Sequence, residues 1–338
     1  MLYDDVFIEA VVAVLPERVV PTSEIEEQIR PLYSRLGVKP GWVESVTGIR
    51  ERRVWRPEEI PTHRAAEAGL QALNAAGIDP YEVRVVVSTS VAKDRLEPSL
   101  ASTVHARMGL GAHCLNLDVG NACLGFLSGM QLVANQIQLG QADVGVVVAA
   151  EDSRAVVQAT IDRLVAADAT FATFRDNLAT LTLGSAAVAM VLTSRRRTRV
   201  GHRLLGGAML AATEHNELCM GDIRGMVTDS NRLLNEGVRL AERTWDAMVH
   251  LLGWSVPGIS AFAAHQVGAA HHTKILETLR IPEHKSLPVY GFLGNIGAAG
   301  VPTTLALTLE RGRIRDGDQV ALLGIGSGLN CAMMGVRW

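Results

Sequence analysis

The chain has 338 residues, enough to bury one large core or two of about 150 residues each. Its 35 acidic and 32 basic side chains leave a formal charge of −3, which excludes the strong positive field of a general nucleic-acid binder. Hydrophobic residues make up 48% and aromatics only 4%, with 32 glycines, a composition suited to tight globular packing. Four cysteines, at 114, 123, 219 and 331, are too dispersed for a disulfide framework or a structural zinc pattern and suit a reducing compartment. The start Met1-Leu2-Tyr3-Asp4-Asp5 lacks the basic and apolar regions of a secretory leader, and no apolar run reaches membrane-spanning length. A soluble cytoplasmic protein is the expectation.

Val6 to Val14 reads as an opening strand, and Thr22-Ser23-Glu24-Ile25-Glu26 reads as a capping box launching a helix toward Leu36-Gly37. Arg50, Arg52 and Arg53 are expected near the surface, on a solvated face. Thr62 is placed to cap a helix ending at Gly77, Val83 to Thr89 is a β-branched strand, and Glu97-Pro98-Ser99 starts a helix ending at Met108-Gly109. Cys114 to Val119 is short enough for a strand. Beyond it Phe126, Met130, Val133 and Ile137 recur at helical steps up to Leu139-Gly140.

Val144 to Ala150 is a buried strand, Arg154 to Asn177 is irregular in pattern, and Leu181 to Leu192 resumes the core. Arg195, Arg196, Arg197 and Arg199 mark a solvated connection. The second half offers a strand from Leu204 to Thr213, a long amphipathic helix from Asn231 to Leu252, and a strand from Ile259 to Ala264 that delivers His265-Gln266. A helix over His272 to Leu279, a strand near Leu287 to Tyr290, a helix over Val301 to Glu310 and strands flanking Gly324 to Asn330 complete the chain. Each half alternates buried strands with helices. This predicts an α/β fold of two related halves, 1–198 and 199–338, inferred from element order.

Cys123 lies where a helix begins after a tight turn. Amide hydrogens and the positive helix end there favour a thiolate, while the alternative is a buried, inert cysteine. His265 and Asn295, in Gly294-Asn295-Ile296-Gly297, end a strand and a loop beside small residues. As neutral hydrogen-bond donors they suit an oxyanion or enolate, though a structural histidine closing an internal network fits the spacing as well. Glu97 reads equally as a first-turn carboxylate stabilising a helix or as a base beside a thioester. Gly324-Ile325-Gly326-Ser327-Gly328 lacks the Lys-Ser/Thr pair and the helix of a phosphate-binding loop, and no Gly-x-Gly-x-x-Gly stands where a dinucleotide site needs one. No metal-ligand spacing is present either.

Asn121-Ala122-Cys123-Leu124-Gly125-Phe126, Ala264-His265-Gln266, Gly294-Asn295-Ile296-Gly297 and Gly324 to Asn330 together resemble the β-ketoacyl synthase III branch of the thiolase superfamily, over nearly the whole chain. Within that branch Arg95-Leu96-Glu97-Pro98-Ser99 and Ala212 to Cys219 are similar to the bacterial olefin-pathway enzymes that join two fatty acyl-CoA molecules head to head. The resemblance implies a five-layered αβαβα arrangement of duplicated halves and a homodimer. It also implies coenzyme A thioesters as substrates with no metal or redox cofactor, long-chain acyl-CoA as the ligand, and downstream lipid-pathway enzymes as partners.

It further implies Cys123 as acyl-carrying nucleophile, amides at Cys123 and near Ser327 as oxyanion hole, His265 and Asn295 as enolate donors, and Glu97 as base. Departures from the branch stand at Gly268, at Gly291-Phe292-Leu293 and at Gly300, where Ser is commoner. Two other readings remain: decarboxylative condensation with malonyl-ACP or a specialised acyltransferase, and a noncatalytic acyl-CoA-binding or scaffold protein.

Overall fold

The computed structural model of the protein describes residues 1–222 and 225–338. Strand β1 (Phe7–Val14) is followed by a two-stranded ribbon, β2 (Arg18–Pro21) and β3 (Glu51–Val54), with helices α1 (Thr22–Gln28), α2 (Arg30–Leu36) and α3 (Trp42–Thr47) between them. The expected single helix from the Thr22 box is two. Pro31 opens α2, where a missing N–H costs nothing, and the chain breaks at Ile29. Thr22 is no cap, because its hydroxyl donates to the carbonyl of Ile49. Arg52 departs from the surface expectation: it is buried in β3 and donates to Thr22 Oγ1 and the Leu181 carbonyl.

Helix α4 (Pro61–Ala76) starts on Pro61 with Ile60 as its cap residue. Thr62 instead donates to Asp94 at 2.7 Å. Strand β4 (Val85–Ser88), helix α5 (Leu100–Met108), strand β5 (Leu115–Asp118), helix α6 (Gly125–Gln138) and strand β6 (Val144–Glu151) follow. The stretch read as irregular forms α7 (Arg154–Val165) and α8 (Phe171–Leu181), the latter started by a Thr170/Thr173 capping box. Their Ala- and Thr-rich sequence gives a weak apolar contrast. Ile161, Leu164, Phe174 and Leu181 nevertheless bury against Ile25, Leu32 and Tyr33 of the first helices.

Strand β7 (Ala186–Thr193) closes the first half, and the second comprises β8 (Arg203–Ala211), an antiparallel pair of β9 (Cys219–Asp222) and β10 (Gly225–Thr228), α9 (Ser230–Leu252), β11 (Ala261–Ala264), α10 (Ala269–Thr278), the short α11 (Tyr290–Leu293), α12 (Gly300–Glu310), β12 (Gln319–Gly326) and β13 (Asn330–Arg337). The strand expected near Leu287 to Tyr290 is absent. Gln266 takes its hydrogen-bonding groups, donating to the Leu287 carbonyl and accepting from the amides of Val289 and Tyr290.

The nine-stranded sheet runs β11-β12-β13-β8-β1-β7-β6-β4-β5. From its centre outward the two sides repeat one pattern: β1, β7, β6, β4 on one side and β8, β13, β12, β11 on the other. In each the first two pairings are antiparallel and the last is parallel. The sides meet where Phe7 of β1 pairs with Arg203 of β8.

Strand periodicity sorts the layers, since successive side chains point to opposite faces. In β12, Val320 and Leu322 pack inward with α6 and α12, while Ala321 and Leu323 pack outward against α9 and α10. In β6, Val147 and Ala149 face inward, and Val146 and Val148 face α4 and α5. The order α4/α5, sheet, α6/α12, sheet, α9/α10 is the five-layered arrangement. It sets the N-termini of α6 and α12 at the centre of the molecule.

Candidate active site

Cys123 occupies a short 3-10 turn, Ala122–Leu124, between β5 and α6. Ala122 has φ +45°, the left-handed region that a residue with a Cβ enters only when its surroundings hold it there. The turn is held by three contacts. The amide of Leu124 donates to the Asn121 carbonyl at 3.0 Å, Asn121 Nδ2 donates to Ser128 Oγ at 3.0 Å, and Asn330 Nδ2 donates to Asn121 Oδ1 at 3.1 Å. The end of β12 closes on the same turn: a Cβ on Gly326 would lie 2.9 Å from the Leu124 nitrogen and 3.0 Å from the Asn121 carbonyl oxygen. The hairpin turn that carries Ser327 follows directly, between β12 and β13.

His265 extends the β11–β12 ladder, its amide donating to the Leu323 carbonyl at 2.8 Å. Its ring is buried, with Nδ1 unpartnered among the described residues and facing Gly300, where a Cβ would lie 2.9 Å away. The glycine at this departure from the branch is therefore fitted to the imidazole. Burial, reinforced by the neighbouring His271, lowers the His265 pKa to about 3, so the ring is neutral at physiological pH.

Asn295 is locked in the turn before α12. Its amide donates to the Thr182 carbonyl and its carbonyl accepts from Gly184, each at 2.9 Å, and Oδ1 accepts from the Gly297 amide at 3.1 Å. That last bond leaves Nδ2 as the donor available to a ligand. The turn reaches the cysteine helix directly, since a Cβ on Gly125 would lie 3.6 Å from the Ala298 Cβ.

The residues numbered 295–300 thus gather Asn295, His265 and the start of the cysteine helix at one place. Glu97 is not gathered with them. It is exposed on the segment between β4 and α5, beside Leu96, which is 94% exposed.

A carboxylate that the sequence reading passed over lies at this centre. Glu151 ends β6 and is 4% exposed. Its Oε1 accepts from the amides of Val91 (2.9 Å) and Ala298 (3.3 Å), and its Oε2 from that of Ala92 (3.0 Å). Burial raises its pKa against those amides, which lower it. The available signal was an acid, the first of the pair Glu151-Asp152, closing seven uncharged residues, Val144 to Ala150.

The thiolate favoured by the helix start is not the resting state. Burial first, then the Glu151 charge and Cys219, push the Cys123 thiol up to about 12, against the opposing effect of its own amide. Desolvation outweighs the dipole of a helix that begins only at Gly125. Among the described residues no group of three or more His, Cys, Asp or Glu is placed to hold a metal ion, and no helix is long and apolar enough to cross a membrane.

A cysteine at a left-handed turn, a neutral histidine and an asparagine gathered around it from the other half, and a duplicated five-layered fold are the features of a thiolase-superfamily condensing enzyme. Residues 58–198 match the thiolase N-terminal domain, and residues 250–338 match the C-terminal domain of 3-oxoacyl-[acyl-carrier-protein] synthase III. Within that superfamily the chain belongs to the acyl-CoA:acyl-CoA alkyltransferase family, called OleA in its solved structures.

It is 39% identical to the Xanthomonas campestris acyl-CoA:acyl-CoA alkyltransferase and 41% identical to the Shewanella oneidensis one, with all of each chain covered. A Cys-to-Ser variant of X. campestris OleA, solved with lauric acid and lauroyl-CoA, superposes with TM-score 0.97 at 38% identity over the whole of both chains. Similarity to the β-ketoacyl-[acyl-carrier-protein] synthase III of Symbiobacterium thermophilum is lower, 25% over 96% of this chain and 95% of the relative.

Proposed function

We propose that the protein joins two long-chain acyl-CoA molecules by non-decarboxylative Claisen condensation, giving a 2-alkyl-3-ketoacyl-CoA. The observation that carries this is the full-length identity to acyl-CoA:acyl-CoA alkyltransferases, well above that to the malonyl-ACP-using branch. The residue assignments draw support from spacing. X. campestris OleA has been solved with substitutions at a glutamate, a cysteine and a histidine whose separations, 26 and 142 residues, equal those of Glu97, Cys123 and His265.

In this reading Cys123 attacks the first acyl-CoA and CoA leaves as its thiol. The proton comes from the cysteine sulfur, passing over the neutral imidazole of His265. Amides at Cys123 and near Ser327 hold the oxyanion. Glu97 removes the α-proton of the second acyl-CoA, and His265 with Asn295 Nδ2 binds the enolate oxygen. Carbon–carbon bond formation then expels the Cys123 thiolate, which recovers a proton. No metal or redox cofactor is required.

A cytoplasmic homodimer is part of the proposal. A second copy would cover the exposed Val91, Leu96 and, on the edge strand β5, Leu115, and would meet the segment that carries Glu97. Downstream lipid-pathway enzymes would receive the product.

The test is incubation of the purified protein with myristoyl-CoA alone and, separately, with acyl-CoA plus malonyl-ACP, with products read by mass spectrometry. CoA release and a condensed product from myristoyl-CoA alone are expected. Turnover only when malonyl-ACP is present would overturn the reading in favour of the decarboxylative one.

A further inference from the structure

We propose that Glu151 is a positioning residue for the condensation step, its carboxylate binding the start of the Glu97 segment to the turn that carries Asn295. The inference rests on the condensation reading above. One oxygen makes the link: Oε1 accepts from Val91 on the segment leaving β4 and from Ala298 in the turn before α12, groups more than 200 residues apart in the chain. Oε2 adds Ala92. The fit is close on the Asn295 side, where a Cβ on Gly297 would lie 3.0 Å from the Glu151 Cδ. The main chain of Glu151 is fixed as well, its carbonyl accepting from Trp55 Nε1 at 2.9 Å.

Downstream, the same segment is pinned by Asp94 to Thr62 and by Asp118, which accepts from Lys93 Nζ and from the amides of Leu100 and Ala101. Glu151 is therefore the one of these anchors that also reaches the C-terminal half of the site. Its three amide donors take up three of the roughly four lone-pair sites of the carboxylate, two on Oε1 and one on Oε2, so the group is committed chiefly to holding backbone. Displacing Ala298 moves the Asn295 turn relative to Cys123, displacing Val91 moves the segment that presents Glu97, and misplacement by an ångström is costly to a bond-forming step.

The experiment compares Glu151→Gln and Glu151→Ala in the full-length protein with myristoyl-CoA as the only substrate. It follows Cys123 acylation by intact mass and condensation by product formation, with melting temperature as the folding control. Glutamine keeps an oxygen for Val91 and Ala298 and sets a donor against Ala92.

The expected result for Glu151→Gln is acylation within about threefold of wild type and a condensation kcat lowered roughly tenfold at unchanged KM, the pattern of an interaction felt in the transition state. Glu151→Ala is expected to lower condensation further. In an Asn295→Ala background Glu151→Gln should lower condensation little beyond Asn295→Ala alone, because both changes act through one turn.

Equal loss of acylation and condensation in Glu151→Gln, or effects that multiply fully in the double variant, would overturn the positioning role. Failure of the condensation reading is separable, since wild type itself would then make no product from myristoyl-CoA alone.

Discussion

Asn330 donates from Nδ2 to Asn121 Oδ1 across 3.1 Å, joining residues 209 positions apart and fastening the last hairpin of the chain to the turn that presents Cys123. Through this bond the C-terminal half helps hold Ala122 in its left-handed conformation. Asn330→Ala is expected to slow acylation of Cys123 by about tenfold to a hundredfold while leaving the fold intact, as a small misplacement of a nucleophile does. Single-turnover acylation with myristoyl-CoA, beside a melting curve, checks this. A wild-type rate would show that the turn holds itself.

Gly326 presses on the same turn from the other side. Because an added Cβ would meet the backbone at Leu124 and Asn121, not the yielding end of a side chain, Gly326→Ala has to move the turn itself. The expected cost is about 1–3 kcal/mol of stability, in the range of overpacked cores, with acylation reduced more than the melting temperature would suggest. Denaturant titration and the acylation rate together measure it.

The state of the thiol is open to direct measurement. With the Cys123 pKa pushed to about 12, the thiolate fraction rises tenfold per pH unit throughout the neutral and mildly alkaline range. Alkylation of Cys123 by iodoacetamide, read by peptide mass, should therefore keep rising from pH 7 to 10 without a plateau. A plateau below pH 8 would mean that the site stabilises the thiolate after all.

Three histidines, His265 and His272 buried and His271 partly so, make the fold acid-sensitive. Burial lowers His265 to about 3 and His271 and His272 to about 4, against an ordinary value of 6.5. Below pH 6.5 the unfolded chain binds protons that the folded protein does not. Stability from these groups is thus complete above about 6.5 and is lost as pH falls toward 4 and then 3. The melting temperature should decline steadily across that window, and a variant with His272→Gln should decline less steeply. No dependence on pH between 6.5 and 4.5 would contradict the neutral buried state.

The exposure of Glu97 leads to a prediction about assembly. Where Glu97 serves a neighbouring copy, co-expressed Cys123→Ala and Glu97→Ala chains should recover activity that neither has alone, up to about a quarter of wild type for one working site in randomly mixed symmetric dimers. Condensation by the purified mixed species is the measurement. No recovery in a mixture shown to contain mixed dimers would place Glu97 at the site of its own chain.

Much of this molecule is legible from residue order, because the patterns involved are local. Val144 to Ala150 reads as a buried strand and is one, extended by Glu151, the amphipathic repeat of α9 is readable to within a residue at its start, and Gly77, Gly109 and Gly253 end their helices in left-handed caps at the expected positions. The cysteine motif, the strand-end histidine and the glycine-flanked asparagine carry the resemblance to the condensing enzymes in residue order alone. Local reading failed where a partner distant in sequence claimed the group in question. Thr22 and Thr62 gave their hydroxyls to Ile49 and Asp94 instead of capping, Gln266 took the backbone of residues 287–290 out of strand pairing, and Arg52 was drawn inside by Thr22 and Leu181.

What residue order alone determined was the chemistry of the groups and the repeating α/β pattern. Both follow from side-chain type and from periodicities of two and 3.6 residues that need no knowledge of what packs opposite. Only the tertiary structure decided how those groups behave. It tied Glu151 to Ala298 in the turn that carries Asn295, raised the Cys123 thiol well above its ordinary range, kept the His265 ring neutral and left Glu97 at the surface. The physical reason is that desolvation and hydrogen-bond partners depend on which of hundreds of residues come to lie within a few ångströms, and the two stacked halves brought those partners from opposite ends of the chain.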